Sequence, residues 1–318
     1  MNFEKPWTEK YRPQTLEDVV GRPYIIERLR SYVERQNMPH LLFAGPAGVG
    51  KTTSAIALAK DMFGESWRQN FQETNASDER GINVVRERIK DFARTMAIGG
   101  NFKIIFLDES DALTPDAQNA LRRTMEIYTS TCRFILSCNY SSKIIAPIQS
   151  RCAIFRFGPL DEDAIEEKLR RIIDNEDLTI TKDGMEAIKY IADGDMRKAE
   201  NTLQAAAFLG KEVNEDLVYQ VSSRAKPEEI GDMISAALGG NFLASRKLLD
   251  SLLIEKGLSG DDIITQLHKE ILNHEELSEG VKVDLVDKIG EHEFRLVEGA
   301  NERIQLEALL ARIAKANR

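Results

Sequence analysis

The residues Gly45-Pro46-Ala47-Gly48-Val49-Gly50-Lys51-Thr52 follow the spacing G-x-x-x-x-G-K-[ST], which suits the binding of a polyphosphate. Glycines let backbone N–H groups curl around phosphate oxygens, and a helix that starts directly after them adds its partial positive charge. In such a loop Lys51 lies along the β and γ phosphates and the Thr52 hydroxyl on Mg2+. A second pair completes this chemistry: Asp108, at the end of the run Lys103-Ile104-Ile105-Phe106-Leu107, and Glu109 directly after it. The aspartate belongs to the Mg2+ shell. The glutamate can accept a proton from an attacking water, which points to hydrolysis rather than transfer to a second small substrate. Asn139 follows the apolar run Arg133-Phe134-Ile135-Leu136-Ser137. It either holds the γ-phosphate and orients the lytic water, or is a structural turn residue.

The elements that must position these groups are legible in the same stretch. Leu41-Leu42-Phe43-Ala44 reads as a short buried strand, and Ser54 to Phe63 as a helix apolar nearly all round, as one packed on a sheet should be. Phe71-Gln72-Glu73-Thr74, the run ending at Leu107, the run Arg133 to Ser137, and Ala153 to Phe157 supply further strands. A helix opens at Thr114-Pro115-Asp116, with Thr114 as N-cap and proline at the first helical position. In an open parallel sheet ligands sit outside the carboxyl ends of the strands, where the loop, Asp108 and Asn139 would converge. The expected architecture is therefore an α/β P-loop domain with a doubly wound parallel sheet over residues 1–158, closed by Gly158-Pro159. A small helical domain over 159–226 and an all-α domain over 227–318 follow.

Between the second and third strands, the polar turn Asn75-Ala76-Ser77-Asp78-Glu79-Arg80-Gly81 leads into an amphipathic helix with Ile82, Val85, Ile89, Phe92 and Met96 as its apolar stripe. Arg86, Lys90 and Arg94 stand four apart on another face, about 6 Å per step. That row either tracks a phosphate backbone or is a solvated face partnered by Glu87 and Asp91. The arm before the loop carries Trp7-Thr8-Glu9-Lys10-Tyr11-Arg12-Pro13. Its two aromatics need cover, and they either wall a nucleotide base or pack on their own domain. Arg197 sits in the first turn of the helix from Asp195 to Leu209, where a cation is unwelcome unless an anion compensates it. Met96 and Ile98, beside Gly99-Gly100, are either core residues or an apolar edge.

The chain has 318 residues, 42% of them hydrophobic and 30% charged, enough for two or three domains with cores. No apolar run approaches the length of a membrane span and the N-terminus lacks the plan of a signal peptide, so a cytoplasmic protein is expected. A net charge of -9 argues against the whole chain wrapping nucleic acid, not against a local basic stripe. Cys132, Cys138 and Cys152 lack C-x-x-C spacing, which suggests reduced thiols rather than zinc.

Taken together, Trp7 to Pro13, the phosphate loop, Asn75 to Gly81, Asp108-Glu109, Asn139, Ser150-Arg151-Cys152 and Gly194-Asp195-Met196-Arg197 make a sequence that resembles the replication factor C small subunits. These are AAA+ clamp-loader proteins, and the archaeal form is the nearer match, across essentially the whole chain. The resemblance implies an ATPase domain, a helical lid and a helical collar. It also implies partners: further copies and a related large subunit in a partial ring, a sliding clamp, and primer-template DNA. Gly45, Pro46, Ala47, Gly48, Val49, Gly50, Lys51, Thr52 and Thr53 would bind the ATP phosphates, with Thr52 and Asp108 on Mg2+ and Glu109 as general base. Asn139 and Arg197 would sense the γ-phosphate, and Thr8, Arg12 and Val20 would contact the adenine side. Arg151 would act in trans, as an arginine finger in the neighbouring subunit's site, and Arg86, Lys90 and Lys143 would follow DNA. Two positions depart from the family pattern: Ser110 replaces a common alanine, and Thr8 a common valine. Other readings are a different AAA+ DNA motor, such as a branch-migration helicase, and a non-enzymatic scaffold subunit. In an archaeal cell the protein would associate with the nucleoid.

Overall fold

The computed structural model describes residues 5–77, 89–210, 212–275 and 277–316. Asp78 to Gly81, the stripe positions Ile82 and Val85, and Arg86 with its partner Glu87 lie outside the described residues. The chain divides into two compact units, Met1–Val213 and Asn214–Arg318.

The first unit is built on five parallel strands, β1 (His40–Ala44), β2 (Phe71–Asn75), β3 (Lys103–Asp108), β4 (Cys132–Cys138) and β5 (Cys152–Arg156), in the order β2-β3-β4-β1-β5. Side chains alternate between its faces. Leu41, Phe43, Ile104, Phe106 and Ile135 enter one core with the Lys51–Phe63 helix, while Leu42, Ala44, Ile105, Leu107, Phe134 and Leu136 enter a second on the opposite face. Burial on both faces is why these strands read as continuous apolar runs rather than alternating ones. β1 lies between β4 and β5, so its carboxyl end opens where the strand order reverses, the switch point at which such sheets bind ligands.

The Pro115–Ile127 helix starts as expected, with the Thr114 hydroxyl accepting from the Ala117 N–H at 3.3 Å. The Pro23–Glu34 helix has no counterpart in the sequence reading. It opens on a proline and buries only Ile26 and Leu29, a face too narrow to stand out. Among the described residues, the helix carrying Lys90 spans 89–94 and stops before Met96. Met96 is therefore 82% exposed and Ile98 56%, which corrects the core placement of both. Buried Asn70 clasps this edge, its amide donating to the Ile98 carbonyl at 2.7 Å and accepting from the Ile98 N–H at 2.9 Å.

The helices Glu162–Asn175, Lys182–Ala192 and Met196–Leu209 complete the first unit, with Thr179–Ile180 pairing Glu212–Val213 beside them. The arm settles on these helices. Trp7 is buried, its N–H donates to Gln204 Oε1 at 3.0 Å, and the Tyr11 hydroxyl donates to Glu176 Oε1 at 2.6 Å.

The second unit is all helical, from Glu215–Ser222 to Glu302–Ala316, around Ile230, Met233, Leu249, Leu252, Ile264 and Leu267 together with Leu306, Leu309, Leu310 and Ile313. Among the described residues no helix is long and apolar enough to cross a membrane.

Candidate active site

The loop after β1 needs its glycines for close approach. Gly48 has φ +68, and a Cβ there would lie 1.6 Å from Asp195 Oδ1. The contact is functional in form: the Met196 N–H donates to the Gly48 carbonyl at 3.1 Å, and Asp195 caps its helix by accepting from the Lys198 N–H at 3.0 Å. The loop and the Met196–Leu209 helix are thus stitched together at one glycine. Gly45 faces the Phe157 carbonyl, which a Cβ would approach to 1.9 Å.

Lys51 is buried, and its ammonium donates to the Gly45 and Pro46 carbonyls, both at 2.6 Å, and to Asn139 Oδ1 at 3.3 Å. Burial lowers its pKa below the usual lysine value, with Asp108 opposing that shift. The Thr52 hydroxyl donates to Asp108 Oδ2 at 2.8 Å, so two hard oxygen donors from different elements meet at the strand end. They suit Mg2+, which takes one or two protein oxygens and completes its shell with water and substrate phosphates. Among the described residues no group of three or more His, Cys, Asp or Glu could hold a metal ion by itself.

Glu109 adopts the left-handed region at φ +52, and its N–H donates to Asp108 Oδ1 at 2.9 Å. Strained backbone of this kind costs of order 1 kcal/mol and clusters at functional sites. Its carboxylate is turned to solvent while Ser110 is buried, the hydroxyl donating to the Leu107 carbonyl at 2.8 Å. That bond accommodates the serine that departs from the family pattern. Asp111 Oδ2 accepts from the Asn139 and Tyr140 N–H groups at 3.2 Å each, holding the turn that presents Asn139. This positioning role of Asp111 went unread in the sequence, where only its neighbours carry a motif.

A cavity of about 290 Å³ joins these groups. Ala47 to Thr53, Asp108, Glu109, Asn139 and Arg197 line its phosphate end, and Thr8, Arg12, Val19, Val20, Leu160 and Met196 line the rest, with Glu9, Pro13, Lys168 and Glu200. The aromatics of the arm follow the second reading: Trp7 and Tyr11 pack on the helices of their own unit and do not line the cavity, whereas Thr8 and Arg12 do. Lys168 and Glu200 were missed by sequence reasoning. For Glu200 a signal existed, since Arg197, Glu200 and Gln204 share one helix face by their spacing.

Arg151 does not line this cavity. Its guanidinium donates to Glu126 Oε1 at 2.6 Å and to the Pro147 carbonyl at 2.7 Å. Lys143 is exposed, its ammonium 5.1 Å from the Tyr140 ring centroid, and Lys90 is half-buried. Arg94 donates to the Tyr128 hydroxyl at 3.1 Å and lies 3.8 Å from Asp91, so that member of the cationic row follows the partnered reading. The three cysteines are free; Cys132 and Cys138 are buried and Cys152 is half-buried, and burial pushes their thiols up to about 12, about 11 and about 12.

The family described as "ATPase family associated with various cellular activities (AAA)" matches residues 41–160, and the "Replication factor C C-terminal domain" matches residues 225–312. The chain is 60% identical over 311 residues to the replication factor C small subunit of Archaeoglobus fulgidus, covering 98% of this chain and 97% of that protein. To its counterpart from Methanocella arvoryzae it is 61% identical over 312 residues, 98% and 97% of the two chains. The chain belongs to the replication factor C small-subunit family. As a replication factor C small subunit it is an AAA ATPase. The Thermotoga maritima RuvB Holliday junction branch migration motor is similar in fold, with a TM-score of 0.56 at 17% identity over 84% of this chain and 92% of that one.

Proposed function

We propose that this chain couples ATP binding and hydrolysis to the loading of a sliding clamp onto primer-template DNA, as the repeated small subunit of a partial ring completed by a related large subunit. One observation carries the reading: a single cavity gathers the phosphate loop, the Thr52–Asp108 pair, Glu109 and the lid residue Arg197, while Arg151 is held outside it.

In this reading the loop N–H groups and Lys51 take the phosphates. Lys51 gives up the loop carbonyls it now holds, so that binding replaces its bonds to neutral acceptors by bonds to anionic phosphate oxygens. Thr52 and Asp108 would hold Mg2+, which when bound neutralises charge on the β and γ phosphates. Glu109 accepts the proton of the attacking water, Asn139 and Arg197 hold the γ-phosphate, and Thr8, Arg12 and Val20 contact the adenine side. Arg151 leaves Glu126 to enter the neighbouring copy's cavity, a contribution worth about 10³–10⁵ in rate in comparable systems.

Residues 1–158 act as the ATPase domain, 159–226 as the lid and 227–318 as the collar that joins copies. DNA follows Arg86, Lys90 and Lys143 by its backbone, so affinity should fall steeply with salt and be indifferent to sequence. The exposed Met96 and Ile98, the latter's backbone clasped by Asn70, offer an apolar edge to the clamp. The protein acts in the cytoplasm, on the nucleoid. The test is ATP turnover in the presence of the large subunit, with and without clamp and primed DNA. Stimulation by the two together supports the loader, and processive unwinding without any clamp supports a branch-migration motor instead.

A further inference from the structure

Among the described residues, five side chains of lysine, aspartate, glutamate or arginine are buried: Lys51, Lys103, Lys168, Lys189 and Glu200. Each of the lysines has a hydrogen-bond acceptor, in loop carbonyls, Thr95, the Tyr11 carbonyl and Glu166 respectively. Glu200 is 6% exposed, yet no hydrogen bond and no ion pair reaches its carboxylate among the described residues. It lines the nucleotide cavity. Its carboxylate oxygens are not among the sealed, unsatisfied polar atoms, so they reach the cavity, where a ligand that displaces water without offering a donor would leave them unpaired at a cost of about 1–3 kcal/mol.

Its place on the Met196–Leu209 helix says which part of a nucleotide it meets. Arg197, three residues earlier, lines the cavity beside Asn139, and Gln204, four residues later, holds the Trp7 N–H. Glu200 therefore stands on the arm side of the phosphate end, where Thr8, Arg12 and Leu160 also line the wall. An anion repels phosphate and accepts from donors, and adenosine carries donors of two kinds, the exocyclic amine and the ribose hydroxyls.

We propose that Glu200 is a specificity-determining residue that accepts a hydrogen bond from a donor of the nucleoside. The proposal rests on the nucleotide reading of this cavity. Burial raises the Glu200 carboxyl to about 7, with Lys168, Arg12 and Arg197 opposing that shift and Asp195 adding to it, so the accepting, charged form gains population as pH rises above 7.

The experiment measures dissociation constants of ATP, 2′-deoxy-ATP, 3′-deoxy-ATP and inosine triphosphate for the full chain, for Glu200→Gln and for Glu200→Met. Methionine keeps the length and apolar fit of the side chain while removing the acceptor. The wild-type chain should bind ATP about tenfold or more tightly than at least one analogue. In Glu200→Met that ratio should fall to within about twofold, because ATP binding alone weakens, with Glu200→Gln between. Loss on the deoxy analogues identifies a ribose hydroxyl, and loss on inosine triphosphate the amine. Wild-type ratios retained in Glu200→Met, or a wild-type chain indifferent to all three analogues, would overturn the assignment while leaving the nucleotide site intact. No binding of any nucleotide by the wild-type chain would overturn the site itself.

Discussion

Lys51 and Glu109 differ in how the fold treats them, and their replacements should differ accordingly. Lys51 is buried and bonded within its loop, so Lys51→Ala should abolish nucleotide binding and turnover together. Glu109 is exposed to the cavity on strained backbone, so on the proposed reading, in which it is the proton acceptor, Glu109→Gln should leave ATP affinity within about threefold and cut turnover by about 10² or more. Measured kcat and Kd separate the two. Glu200 makes a third case, visible in stability. Burial raises its carboxyl from 4.5 to about 7. Between those values the folded chain holds a proton that the unfolded chain has lost, so stability falls as pH rises through that window and stays reduced above it. Glu200→Gln should therefore raise Tm at pH 8, by up to about 3 kcal/mol of stability, since each tenfold change in proton affinity is worth about 1.4 kcal/mol. At pH 4 it should leave Tm nearly unchanged. An equal gain at both pH values would contradict the assignment.

At the scale of elements, the phosphate loop and the lid helix act as one device because Gly48 and Asp195 share a contact that admits no Cβ. Gly48→Ala combines left-handed strain with displacement of the Asp195 cap, together about 2–3 kcal/mol. Nucleotide affinity should fall by about 30-fold or more, and adding Asp195→Ala should cost less than the two separate losses combined, a shortfall that a double-mutant cycle measures. Full additivity would mean that the loop and lid are independent. The central strands, the loop and the Asp108-Glu109 pair were legible in the sequence because burial on both sheet faces leaves unbroken apolar runs in β1, β3 and β4, the last two followed by Asp108 and Asn139. The cavity's other wall was not. Lys168 and Asp111 act through contacts that no local pattern marks, and Glu200 is marked only by sharing a helix face with Arg197 and Gln204. Met96 was misread for a related reason: its spacing continues a helical stripe, but the helix ends two residues before it.

For the whole molecule, the proposed reading divides each site between two copies: the cavity of one, and the Arg151 of the next, which this chain holds on Glu126 away from its own cavity. On that reading the two halves meet between neighbours in a ring. The most direct test mixes two inactive proteins in the presence of the large subunit, clamp and primed DNA: Lys51→Ala, which lacks the cradle, and Arg151→Ala, which lacks the finger. Each alone should be nearly silent. Mixed in equal amounts, they should recover about a quarter of the small-subunit interfaces, wherever an Arg151→Ala cradle faces a Lys51→Ala finger. ATP turnover that stays at the average of the two separate proteins would contradict the account.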